Sequence, residues 1–159
     1  MKRIFFILTL VSNSYSQYIS PGVNLGYDFN SHFTCGLKVS LGVYENLQFI
    51  NFTFGRSFAL NKKSTYPVRN YFDIQYGKLS DTIGERKIQL FYGGGIGVVI
   101  SNENGKQYTY PRLTTFTGNL LFLNCDIYFI KMRKVEPDLG FQLVLPVPLG
   151  ERPTFGTGG

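Results

Sequence analysis

Residues 33–43 read FTCGLKVSLGV. Phe33, Cys35, Leu37, Val39, Leu41 and Val43 fall on one face of an extended chain, and Thr34, Gly36, Lys38, Ser40 and Gly42 fall on the other. This unbroken alternation predicts a β-strand, whose side chains point to opposite faces with period 2. It also leaves two ways to build a protein. If the apolar face forms the core, the chain makes a soluble β protein. If the Gly/Ser/Lys face forms the core, the apolar face must meet lipid.

The pattern recurs along the chain. Val23, Leu25, Tyr27 and Phe29 alternate with Gly22, Asn24, Gly26 and Asp28. Ile50, Phe52, Phe54 and Phe58 alternate with Asn51, Thr53, Gly55 and Ser57, and Phe72, Ile74 and Tyr76 with Asp73, Gln75 and Gly77. Ile88, Leu90, Tyr92, Ile96, Val98 and Ile100 oppose Gln89, Gly93, Gly95 and Gly97. A sixth segment over 108–117 is the weakest, because Pro111 and several Thr blur it. Leu121, Leu123, Cys125, Ile127 and Phe129 oppose Asn124, Asp126 and Tyr128. Leu139, Phe141, Leu143, Leu145 and Val147 form the eighth segment. Eight strands are favoured, with seven as the alternative if the sixth and seventh fuse. Short connections between consecutive strands predict an all-β antiparallel up-and-down meander, closed into a barrel of about eight strands.

The composition of the less apolar face decides its direction. It carries mostly Gly, Asn, Ser, Thr and Gln, with few charges: Asp28, Lys38, Asp73 and Asp126. Charged residues make up only 16% of the chain, against about 25% in a typical soluble domain. A sheet turning this face to water would carry many Lys and Glu. Small polar side chains instead suit the narrow interior of an eight-stranded barrel. The Phe/Leu/Ile/Val face then becomes an outer apolar band with aromatic girdles, as in a transmembrane barrel. The second reading turns the same face inward and gives an exported soluble barrel that binds a small apolar ligand.

The N-terminus reads MKRIFFILTLVSNSYSQ. Lys2 and Arg3 precede the apolar run Ile4–Val11, which is too short to cross a bilayer. Ser14 and Ser16 stand at −3 and −1 of a cleavage point before Gln17. Residues 1–16 are therefore expected to be a signal peptide. Residues 17–159 are expected to form a single barrel domain with a short C-terminal tail from about 149.

At the level of pattern the chain resembles the small outer-membrane β-barrel proteins of the OmpA-barrel and OmpX type. The resemblance rests on the export signal and on the Gly-rich alternating strands "GVNLGYDF", "GLKVSLGV" and "YGGGIGVVI". It implies localisation in the cell outer membrane, outer-membrane lipids as partners, and a monomer. One departure concerns the end of the chain. Such barrels usually finish on an aromatic residue, whereas this chain ends GERPTFGTGG, and Pro146 and Pro148 limit the final strand.

No constellation points to catalysis. Outer-membrane lipid A deacylases use a His–Ser pair, but strand geometry points the adjacent Ser31 and His32 apart. An envelope lipid-modifying enzyme is thus a third reading without a site. One His and two distant Cys give no metal-ligand cluster, and no cofactor is expected. The glycines of GGGIG (93–97) sit inside a strand pattern, not before a helix, so they are not a phosphate loop. The net charge of +6 is spread over small groups, Lys62-Lys63, Arg86-Lys87 and 131–134. These suit anionic lipid head groups better than nucleic acid, which usually needs a dense basic stripe.

The expected function is a non-enzymatic outer-membrane barrel with a structural or adhesive role. An unknown partner would be bound through the loops 59–66, 79–87 and 101–107. Asp28, Lys38, Asp73 and Asp126 share the inward phase. They form either a polar path or an ionic plug, with Lys38 within ion-pair reach of at least one of the three carboxylates. Cys35 and Cys125 have the outward phase on the second and seventh strands. They are therefore too far apart to bridge, although in a soluble sandwich they could converge.

Overall fold

The computed structural model describes residues 16–28, 32–61, 67–80, 89–103, 106–131 and 134–149. The expected signal peptide, residues 1–16, lies outside these residues except for Ser16. Residues 62–66, 81–87 and 104–105 of the three proposed binding loops and the tail from 150 also lie outside them. The strands are β1 (Ser16–Asp28), β2 (His32–Glu45), β3 (Gln48–Ala59), β4 (Val68–Leu79), β5 (Phe91–Glu103), β6 (Lys106–Gly118), β7 (Leu121–Lys131), β8 (Lys134–Val144) and the short β9 (Val147–Pro148). Each of the first eight pairs antiparallel with its chain neighbours, and β8 pairs with β1 to close a barrel.

The sixth strand is one of the longest, although it gives the weakest sequence signal. Thr is a good β-former because its branched side chain fits a pleated surface. Pro111 pairs with Val98 of β5, and the β6–β7 ladder ends beside it at Arg112, as a residue without an N–H requires on one side. Sixth and seventh strands stay separate, turning at Asn119–Leu120.

The prolines near the C-terminus do not prevent closure. Gly22 faces Val144 and Ile19 faces Val147, so β9 continues β8 in unchanged register. Leu145 N donates to Pro21 O at 3.0 Å and Leu149 N donates to Gln17 O at 2.8 Å. These bonds use odd-numbered residues. Pro146 and Pro148 fall between them, with their nitrogens turned away from β1. On that side the last bond is Val144 N to Leu120 O. β8 outruns the β6–β7 turn there, and a missing donor costs nothing.

The registers also fix the barrel's shape. Stepping across the strands, Gln17 faces Val43, then Ile50, Tyr76, Gly94, Thr115, Cys125, Leu139 and finally Tyr27. One circuit thus advances ten residues along β1. With about 3.3 Å per residue and about 4.8 Å between strands, the strands tilt by about 41° and span roughly 27–35 Å.

The apolar face is outside. Leu25, Leu37, Phe52, Ile74, Ile96 and Phe141 are each more than half exposed, and they belong to different strands round the wall. Tyr27 and Tyr108 stand near one rim, and Tyr76 and Tyr92 near the other. Arg56 is the outward charge furthest from a strand end among the described residues. Its guanidinium lies over the Phe58 ring, 5.4 Å from the centroid and toward the rim, which lets the long side chain reach polar surroundings. The arrangement with these residues inside is not the one the chain adopts.

Candidate functional site in the barrel lumen

Even-numbered residues of β1, β2 and β6–β8, and odd-numbered residues of β3–β5, point into the barrel. Asp28, Asp73 and Asp126 are among them and are buried, and Lys38 is half-buried. The lumen divides into two unlike halves.

The half toward the β1–β2 and β3–β4 connections is filled by two arginine-centred groups. Arg69 Nη2 reaches Asp28 Oδ2 at 3.3 Å and Glu136 Oε2 at 3.2 Å. Arg112 Nη1 reaches Asp73 Oδ2 at 2.5 Å, and its Nη2 reaches Asp126 Oδ2 at 2.8 Å. Both guanidinium groups stack on aromatic faces, Arg69 on Tyr128 at 4.6 Å and Arg112 on Tyr71 at 4.1 Å. Tyr71, Tyr110, Tyr128 and Val99 pack as the buried apolar core of this half. Gly55 lies against the Tyr71 ring, where a Cβ would enter it. Asp138 is the register partner of both Asp28 and Asp126 and stands between the two groups.

Chemically this half is a plug. Two planar, always-charged guanidinium groups are each held between two carboxylates, and the rings close the space around them. The partner of the carboxylates is not the expected one. Lys38 makes no ion pair among the described residues, and its ammonium donates to Gln142 Oε1. The cations that do pair, Arg69 and Arg112, were not among the expected inward charges, and neither were Glu136 and Asp138.

The other half opens toward the β2–β3 and β6–β7 turns as a cavity of about 150 Å³. Phe49, Phe91, Phe116 and Phe122 form its outer wall, with neighbouring ring centroids 5.8–6.2 Å apart. Tyr18, whose hydroxyl donates to Asn51 Oδ1, lines it as well. Deeper in stand Lys38, Gln75 and Gln142. No group of His, Cys, Asp and Glu suited to hold a metal ion occurs among the described residues.

The three loops expected to bind a partner do not share a rim. The connection after β3 and that after β5 open beside the plug, whereas the one after β4 opens beside the cavity. Cys35 and Cys125 are free and outward, on strands separated by β1 and β8. The side chain of His32 lies outside the described residues.

No protein-family model matches the chain, and no curated protein matches it. Among solved structures the chain is similar to the crystal structure of Neisserial surface protein A. The identity is 10%, 82% of this chain and 96% of that chain are covered, and the TM-score is 0.45. It is also similar to a de novo designed transmembrane β-barrel, at 10% identity, with 80% and 95% covered and a TM-score of 0.37. The barrel fold rests on the strand pairings above and not on these likenesses.

Proposed function

We propose that the chain is a non-enzymatic, monomeric outer-membrane β-barrel, exported by the segment 1–16, whose plugged cylinder anchors a structural or adhesive surface. The carrying observation is the inversion of an ordinary core: ion pairs and small polar groups inside, Leu, Ile and Phe outside. In water so large an apolar surface would drive association. In a bilayer it is the required outer face, and closure leaves no unpaired strand edge. The tilted strands match a hydrocarbon core of about 30 Å. Two of the three candidate binding loops, after β3 and after β5, share the rim beside the plug, so adhesion is assigned to that rim. The plug favours an anchor over an open pore. Fractionation tests the reading: the protein should stay with the outer membrane through high salt and carbonate. Release into the soluble fraction would refute it.

A further inference from the structure

The cavity half of the lumen has a feature that the anchor role does not use. Lys38 is the one charged residue among those lining this cavity. Arg69 and Arg112 each have two carboxylates. Lys38 has the neutral carbonyl of Gln142. The carboxylates that act on Lys38, Asp73 and Asp126, do so from beyond contact and are held by Arg112, and a cation drawn out of water with no carboxylate in contact is costly. Here it sits in the depth of an open cavity whose outer wall is four phenyl rings.

We propose that this cavity is a binding site for a single-chain carboxylate amphiphile, with the carboxylate on Lys38 Nζ and the alkyl chain running out between the rings. One monovalent cation matches one carboxylate, whereas a phosphate dianion calls for more positive charge than the cavity offers. The four rings give apolar contact to a flexible chain without a fixed shape. The amide of Gln142, already at the ammonium, is placed to donate to the same carboxylate. The site opens at the rim where Pro146 and Pro148 carry β8 past the β6–β7 turn, so a ligand can enter without disturbing the plug. The proposal goes beyond the anchor role and does not depend on the adhesive surface.

The test uses octanoate as the probe and octyltrimethylammonium as its opposite-charge counterpart. Each is titrated into the protein folded in nanodiscs of deuterated lipid, with empty nanodiscs as the blank. Folding of every variant is checked by heat-modifiable gel mobility, so a folding failure is not read as a binding failure. Octanoate should bind the wild type and give NMR cross-peaks to the Phe rings, and octyltrimethylammonium should not. Lys38→Met should weaken octanoate by about 10- to 100-fold, the size of a charge-assisted hydrogen bond. Gln142→Glu gives Lys38 an internal counter-ion with almost no change of shape and should weaken octanoate to a similar extent. The proposal is overturned if the folded wild type binds no octanoate. It is equally overturned if both probes bind alike, or if folded Lys38→Met or Gln142→Glu keeps wild-type affinity.

Discussion

Removing the Arg112 guanidinium tests whether it is what holds Asp73 and Asp126 together in the lumen. Arg112 is 3% exposed and joins Asp73 and Asp126 across the lumen, at 2.5 and 2.8 Å. Arg112→Met keeps a flexible side chain of similar length and deletes the charge, leaving two buried carboxylates facing each other. Breaking a buried pair from one side costs about 3–5 kcal/mol, mostly because the remaining charge stays buried. That range shifts the folding equilibrium by about two to three and a half orders of magnitude. Loss of stacking on Tyr71 adds to it. Arg112→Lys should recover little, because a point charge cannot hold two carboxylates in the plane that a guanidinium can. The triple change Arg112→Met, Asp73→Asn, Asp126→Asn removes the imbalance and should return to within about 2 kcal/mol of wild type, since neutral replacements of a buried ion group are often tolerated. Urea unfolding in phospholipid vesicles, read by gel mobility, measures all three. A cost below about 1 kcal/mol for Arg112→Met, or a triple variant less stable than the single one, would show that Arg112 does not hold the two carboxylates.

Three further outcomes follow from local geometry. Gly55→Ala should destabilise the barrel by about 1–3 kcal/mol in the same unfolding assay, because its methyl group overlaps the Tyr71 ring. Leu47 closes the β2–β3 turn at φ 65°, beside Asn46 at φ 47°. Leu47→Gly should therefore raise stability by roughly 1 kcal/mol by relieving a left-handed side-chain clash. Cys35 and Cys125 should both react with a membrane-permeant maleimide in the folded protein, and mass spectrometry without reductant should find two free thiols; a Cys35–Cys125 bridge would contradict the pairing order of the strands.

The inside and the outside of the wall were legible because a closed barrel obeys period 2 along every strand. Leu37 and Lys38 could be assigned to opposite faces from eleven residues alone. The plug is legible only in part, because the clearest alternation stops short of several of its residues. Arg69 is in phase with Tyr71 and Asp73, and Glu136 and Asp138 with Gly140 and Gln142, but these residues lay beyond the clearest alternation. Arg112 was hidden beside Pro111 in the segment that Thr residues blur. Which acid meets which base was not legible at all. That depends on the advance of ten residues per circuit, which sets the partners across the lumen and leaves no mark in the period of any one strand. Lys38 shares a phase with Asp73 and Asp126, yet Arg112 holds both.

Tryptophan fluorescence tests directly whether the Phe/Leu/Ile face meets lipid. The chain has no Trp, so single-Trp reporters have no background. Phe52 points outward and is 60% exposed, whereas Phe116 points into the lumen among the other rings. In vesicles of brominated lipid, Phe52→Trp should be strongly quenched, and Phe116→Trp should be shielded by the wall. Strong quenching of Phe116→Trp with Phe52→Trp left bright would put the lumen-facing rings in lipid and contradict the inside-out barrel.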